Sequence, residues 1–279
     1  MNGFSAEWLA LREPIDHRSI NEELRAELLA WVGQRAHVRI ADLGSGSGSN
    51  LRGLAPLLPK SQHWRLMDHD EALLDHANLA ITAWADEFAG DDDRISVRIK
   101  DKKLTLDFVQ ADLAEEPAAV FDEPLDLVTA SAFFDLVSEE WIDDFCRELA
   151  ARKLPLYAVL TYDGTETWTP PHEADAAMLA AFHAHQGRDK GFGAAAGPQA
   201  AAILRRALER HGYRVSTGDS PWLLERPHRA LIAELAKGSA AAVRETGQVA
   251  PEQVEAWLAA RREASACEIG HIDLFALPA

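Results

Sequence analysis

Four short apolar runs, HVRIADL (37–43), HWRLMD (63–68), LDLVTAS (125–131) and LYAVLTYD (156–163), are separated by stretches with helical apolar spacing. A strand covered by helices on both faces is apolar throughout rather than alternating, so each run reads as a buried strand of a parallel sheet. Between them, residues 70–88 place Leu73, Leu74, Ala77, Ile81 and Trp84 on one helical face, with Asp70 positioned to cap. Residues 138–151 start at Ser138, carry Glu139 and Glu140 in the first turn and stripe Ile142, Phe145 and Leu149. Residues 198–211 open with Pro198, stripe Leu204, Leu208 and His211, and stop at Gly212. Strands joined by crossovers of this length predict an α/β fold, a doubly wound and mostly parallel sheet.

The remaining segments add to that sheet. Residues 17–35 predict a helix with Ile20, Leu24, Leu28 and Trp31 on one side, and RISVRIKDKKLTLDFVQAD (94–112) a hairpin whose second arm can join the sheet. Strand-like YRVSTGD (213–219), a helical stretch over 228–265 and the run GHIDLFALP (270–278) suggest a closing strand added late. The expected organisation is one domain. It comprises a helical cap over 1–35, a cofactor-binding core over 36–163, a lid-like insertion over 164–197, and the rest of the sheet over 198–279 with a helical excursion over 221–265.

Directly after the first strand comes ADLGSGSGSN (41–50). Strand, glycine turn and helix start together make a site that binds a polar ligand through backbone N–H groups and the helix dipole. Glycine permits positive φ and keeps Cβ atoms away from the ligand. A dinucleotide fingerprint GxGxxG beginning at Gly44 would need glycine at position 49, where Ser49 stands. The stretch reads instead D-x-G-x-G-x-G, from Asp42 to Gly48.

This stretch resembles the first motif of the class I S-adenosylmethionine-dependent methyltransferases. The resemblance implies a Rossmann-like, seven-stranded sheet with helical additions, and S-adenosylmethionine as cofactor, leaving S-adenosylhomocysteine as product. It implies that Asp42, Gly44, Ser45, Gly46, Gly48 and Asn50 hold the methionine part. The acid expected after the second strand is Asp68 in WRLMDHD, 24 residues beyond Gly44, suited to two vicinal ribose hydroxyls. His69 beside it is either a neighbour of the adenosine or an exposed histidine without a role. The acid expected after the third strand is Asp112 in FVQADLAE, followed by Leu113 near the adenine ring. DLVTASAFFDLV, with Ser131, is similar to the family's segment beneath the sulfonium end. The features follow the family's order over residues 38–163.

Methyl transfer is an in-line displacement on an activated methyl group, so alignment and water exclusion dominate, with a base needed where the nucleophile carries a proton. The family's amino-methylating branch carries Asn/Asp-Pro-Pro-Tyr/Phe after the fourth strand. TASAFFD stands there instead, which turns the expectation toward oxygen as acceptor. Substrate contacts are expected from the additions to the core, above all DGTETWTPPHEADAAMLAAFHAHQGRDKGFGAAAGP, which starts at the carboxyl end of a strand. His183, His185 and Asp189 are the candidate catalytic groups. Asp163, Arg188, Lys190 and Trp222 are the candidate substrate contacts. Their alternatives are structural: the two histidines read equally as flanking the core, RDK as a surface salt-bridge cluster, and Trp222 as an anchor of the excursion. At i and i+2 the histidines lie about 200° apart on a helix, which argues against a shared metal, and no metal site is expected. Arg12 either reaches the cofactor's carboxylate from the N-terminal cap or does not take part.

A formal charge of −17, from 45 acidic and 28 basic residues, opposes binding to phosphate backbones and anionic membranes, which call for lysine and arginine. Two distant cysteines, Cys146 and Cys267, without CxxC, fit a reducing compartment. The opening MNGFSAEWLALREP has no basic or apolar leader region, and no apolar run approaches bilayer length. The expectation is a cytoplasmic methyltransferase of a small molecule. A nicotinamide-dependent oxidoreductase of the same layer architecture and a non-catalytic S-adenosylmethionine-binding scaffold are the rivals.

Overall fold

A computed structural model describes residues 5–33, 35–90 and 94–279; residues 1–4 and 34 of the expected N-terminal cap lie outside them. Among the described residues, ten strands form one sheet. The four expected buried runs are β1 (His37–Leu43), β2 (Ser61–Asp68), β6 (Leu127–Ser131) and β7 (Leu156–Thr169). With β5 (Lys102–Gln110), β8 (Tyr213–Asp219) and β10 (Ala266–Pro278) they make a seven-stranded core in the order β5-β2-β1-β6-β7-β10-β8. The first five strands of that order run parallel to one another, and β10 is antiparallel to both of its neighbours, β7 and β8. Three further strands widen the edges. β3 (Glu87–Gly90) and β4 (Arg94–Ile99) extend the sheet beyond β5, and β9 (Trp222–Glu225) pairs with β10.

Helices cover both faces because the central parallel strands present apolar side chains to both. On β1, Val38 and Ile40 join one core while Ala41 and Leu43 join the other. The first core takes Leu24 and Leu28 of α2 (Glu22–Val32), Leu51 and Leu54 of α3 (Ser49–Leu54), and Leu74, Ala77 and Ile81 of α4 (Glu71–Trp84). The second takes Ile142, Phe145 and Leu149 of α5 (Glu139–Ala151), and Leu204 and Leu208 of α7 (Ala200–Arg210). Asp70 and Ser138 cap α4 and α5 by accepting the Ala72 and Trp141 amides.

Several boundaries move. The helix expected over 17–35 is two helices, α1 (Ala6–Ser19) and α2, because Asn21 turns its side-chain oxygen to the Glu23 and Leu24 amides and caps a fresh start. The stretch 228–265 likewise divides into α8 (Arg229–Thr246) and α9 (Pro251–Arg262), broken by Gly247 in the left-handed region and restarted at Pro251. The helix expected to reach residue 88 ends at Trp84, since Ala85 is extended and the Asp86 amide donates to the Arg98 carbonyl, starting the β3–β4 pairing.

The expected boundary between core and lid at residue 163 falls inside β7, which continues to Thr169 alongside β10. The two strands therefore rise past the carboxyl end of the sheet, and α6 (Asp175–Gln186), α8 and α9 pack on that extension. Asp273 on β10 fastens it. One carboxylate oxygen accepts from the Leu160 amide (2.8 Å) and the Ser220 hydroxyl (2.6 Å), the other from the Asn21 amide (2.7 Å). Leu160 has φ 55, a left-handed backbone at a residue with a branched side chain, and the bond its amide donates to Asp273 holds that kink. Cys146 and Cys267 are free and buried. Among the described residues no helix is long and apolar enough to cross a membrane.

Candidate functional site

The glycine stretch folds into a tight loop between β1 and α3. Gly44, Gly46 and Gly48 all have positive φ (59°, 51° and 74°). A Cβ on Gly44 would lie 2.7 Å from the Phe133 ring, and one on Gly48 2.9 Å from Ile81. The loop is thus bare backbone because its neighbours touch it, not because it is a linker.

Around the loop the structure brings together much of the expected cofactor set. Asn50 Nδ2 donates to Asp42 Oδ1 (2.8 Å) and to Thr129 Oγ1 (3.1 Å), and that hydroxyl donates to the Tyr157 carbonyl (2.9 Å). Asp42 Oδ2 is buried without a partner, as are the Ser45 and Ser47 hydroxyls. Burial raises the Asp42 proton affinity most, the Asn50 bond opposes it and the Asp68 charge adds to it, leaving the carboxyl at about 7. Asp68, at the end of β2, accepts the Gly46 amide (2.8 Å) and the Asp70 amide (3.0 Å), so the carboxylate also props the loop. Orphaned buried oxygens beside left-handed glycines fit a polar ligand laid against the main chain.

The other expected contacts are less concentrated. The His69 ring is mostly exposed and sits 3.3 Å from Asp68. Asp112 is exposed and accepts the Ala114 amide in a turn. Leu113 is buried, and its carbonyl accepts the Trp141 indole N–H (2.7 Å). Ser131 is half-buried at the end of β6, two residues before Phe133 on Gly44.

The first helix closes over the loop. Arg52 of α3 donates to both oxygens of Glu13 on α1 (2.8 and 2.5 Å) and to the Ser47 carbonyl (2.7 Å). The His17 ring meets the Ser49 carbonyl (2.9 Å), and Leu9 lies over Gly46. Arg12, one turn further, donates to Asp16 (2.8 Å) and lays its guanidinium 5.0 Å from the Trp222 ring centre.

Arg12 thereby joins a buried polar group that the sequence reading did not assemble: Asp16, Asp135, Tyr162 and His271. The Trp222 and His271 rings are 5.0 Å apart, His271 and Tyr162 6.2 Å, and Tyr162 and His183 5.9 Å. Burial raises the Asp16 carboxyl against the pull of Arg12. Burial likewise lifts Asp135 to about 6, and burial together with the Arg12 charge holds His271 near 3, hence neutral. Asp16 Oδ1, Asp135 Oδ1 and His271 Nδ1 have no partner. The missed signal is a titratable residue inside an apolar run: Asp135 in AFFDLV and His271 in GHIDLF.

The expected catalytic and substrate groups scatter over this roof. His183 meets the Tyr162 hydroxyl (3.1 Å), which donates to half-buried Glu166 (3.1 Å); burial lowers the His183 proton affinity. His185 points elsewhere, to Glu245 of α8 (3.0 Å), and Arg188 shares that carboxylate. The histidines therefore do not converge. Asp189 accepts the Gly191 and Gly193 amides (2.7 and 3.0 Å) and so shapes the loop after α6. Asp163 accepts the Thr165 amide and hydroxyl (both 2.7 Å), and Lys190 is half-buried on the same loop as Asp189. Trp222 is buried at the roof's root, against Arg12 and His271. Among the described residues, His63, Asp107 and Glu123 bring potential metal-ligating atoms within 4.8 Å of one another. Arg94 and His63 already hold the Asp107 carboxylate, and His63 lies five strand positions before the loop end of β2.

No family model matches the chain, and no curated protein sequence matches it. Solved structures do. A candidate methyltransferase of Bacillus halodurans aligns over 91% of this chain and 99% of its own, at 14% identity and a TM-score of 0.52. The cyclopropane synthase MmaA2 of Mycobacterium tuberculosis aligns over 98% and 94%, at 14% identity and 0.51. The YcgJ protein of Bacillus subtilis aligns over 92% and 99%, at 11% identity and 0.51. With its sheet order, its antiparallel β10 and these neighbours, the chain has the fold of the class I S-adenosylmethionine-dependent methyltransferases.

Proposed function

We propose that the protein is an S-adenosylmethionine-dependent methyltransferase of a small molecule, with oxygen as the methyl acceptor. The observation that carries the reading is the loop from Asp42 to Asn50, whose orphaned Asp42 Oδ2 and serine hydroxyls surround three left-handed glycines at the carboxyl end of the sheet. In this reading Asp42, Gly44, Ser45, Gly46, Gly48 and Asn50 hold the methionine part, Asp68 and His69 the ribose, Asp112 and Leu113 the adenine side, and Ser131 the sulfonium end. When bound, the cofactor supplies a methyl group activated on a cationic sulfur. The chain's own part is to align the acceptor, exclude water and take up a proton.

Two features support a small acceptor and a third supports oxygen. The additions α1, α6, α8 and α9 pack into one apolar core with the end of β7 that extends beyond the sheet. The formal charge of −17 disfavours nucleic acid and anionic lipid as partners. The Asn/Asp-Pro-Pro-Tyr/Phe segment of nitrogen-specific relatives is replaced by TASAFFD, which supports oxygen. Two buried free thiols fit a cytoplasmic location.

Calorimetric titration with S-adenosylmethionine, S-adenosylhomocysteine and NADH tests the reading. The first two should bind, and Asp68→Ala should weaken both at least about tenfold through loss of a charged acceptor. Binding of NADH alone would turn the reading to an oxidoreductase.

A further inference from the structure

We infer that Asp135 is the proton acceptor of the transfer site, ionised while the cofactor carries its sulfonium charge and protonated once that charge is gone. This rests on the methyltransferase reading above and names the chemistry of its acceptor side.

Position comes first. Asp135 lies in the single 3₁₀ turn Phe134–Leu136 that follows β6, and Phe133 just before it packs on Gly44 of the cofactor loop. The carboxyl is buried, and its Oδ1 meets no partner. An isolated buried carboxylate is costly and is retained where a ligand or a proton completes it.

Elimination comes second. Arg12 from α1 faces Asp135 and draws its proton affinity down, yet Arg12 is already hydrogen-bonded to Asp16. Tyr162 from β7 faces it too, with its hydroxyl given to Glu166. The turn 197–199 and the first turn of α7, packed against 134–136, bring no titratable side chain. His271 is held neutral with a proton affinity too low to act at pH 7, and His183 is engaged with Tyr162. Asp16, though its Oδ1 has no partner, carries the Arg12 guanidinium directly on its Oδ2. Among these groups Asp135, lifted by burial to about 6, is poised to be ionised at neutral pH and still basic enough to accept.

The proton balance then follows. The acceptor's hydroxyl oxygen gains the methyl group, the carbon–sulfur bonding pair stays on sulfur, and the hydroxyl proton passes to Asp135 Oδ1. One positive and one negative charge disappear together, leaving a neutral site. The acceptor class is a small neutral molecule whose nucleophile carries a proton, an alcohol or phenol, on an apolar body suited to Tyr162 and Trp222, whose rings flank His271. A thioether or tertiary amine has no proton to give and no use for this carboxylate.

The test needs no acceptor. Affinities of S-adenosylmethionine and S-adenosylhomocysteine are measured by calorimetry from pH 5 to 7.5 for wild type and Asp135→Asn. The ratio favouring the sulfonium should rise about tenfold with pH in wild type, as a separation of one pH unit between two proton affinities requires. It should stay flat in Asp135→Asn. Asp42 also titrates in this range, so an unchanged slope in the variant assigns the effect elsewhere and overturns the inference, as does a flat ratio in wild type that binds both. If neither ligand binds, the cofactor reading itself fails. Should Asp135→Asn not fold, wild type labelled with carbon-13 at its aspartate carboxyls decides. One carboxyl should titrate near 6 in the S-adenosylhomocysteine complex and about one pH unit lower with S-adenosylmethionine. Absence of such a carboxyl overturns the inference equally.

Discussion

The half of the molecule built on β1, β2 and β5 and the half built on β7, β9 and β10 solve their polar problems differently. In the first, the groups around the loop come from short sequence distances: Asp42, the glycines and Asn50 span nine residues, and Asp68 ends the next strand. In the second, Arg12, Asp16, Asp135, Tyr162, Trp222 and His271 come from five separate elements or turns and meet only through tertiary packing. A site made by one loop tolerates change elsewhere. A site made by assembly depends on every strand that delivers it.

Four experiments would break or sharpen that contrast. The largest effect belongs to Asp273→Ala, which orphans the Leu160 and Asn21 amides and the Ser220 hydroxyl together; urea denaturation should show a loss of about 5 kcal/mol. If hydrogen exchange then shows β1 and β2 still fully protected while β7 and β10 open, the halves unfold as separate units.

The second concerns the loop half. Asp42 has a folded proton affinity near 7, above its unfolded value, so its contribution is fully present below about pH 4 and lost as pH rises through 7. Without cofactor, this group should lower stability by up to about 4 kcal/mol across that window. Asp42→Asn should remove most of the fall, read as the difference between two stability–pH curves.

Third, Gly44→Ala combines left-handed backbone with a contact on the Phe133 ring, and should cost about 2 kcal/mol in thermal or chemical denaturation. Adding Phe133→Leu should return part of it, since the steric share is relieved and the backbone share is not. Smallest is His185→Ala. The pair with Glu245 lies near the surface, so stability should drop by no more than about 0.5 kcal/mol and cofactor affinity should not move. A tenfold loss of affinity would place His185 inside the site after all.

Legibility followed the same divide. Strand runs at 37–43, 63–68 and 125–131 were readable because burial on both faces leaves a continuous apolar signature. The caps at Asp70 and Ser138 were readable because capping is local. The break at Ile20–Asn21 was not, since the apolar stripe Leu24–Leu28 extends back to Ile20 and masks a new helix start. The edge strand β3 was missed because its residues are all exposed and carry no apolar signature, so its pairing with β4 decides it. His183, His185, Asp189 and Arg188 drew notice as polar residues near glycines, but their partners, Tyr162, Glu245 and the loop's own amides, lie where one-dimensional spacing gives no sign. Asp135 and His271 were hidden by the apolar residues around them.

The position of β10 has a consequence for how the chain is made. It lies between β7 and β8, hydrogen-bonded to both, yet it is synthesised after them and after two helices. Until residues 266–278 have left the ribosome, β7 and β8 each keep an open edge and Asn21, Leu160 and Ser220 wait for Asp273. In that interval the nascent protein is at its stickiest, and it is then that an assisting chaperone would be needed most.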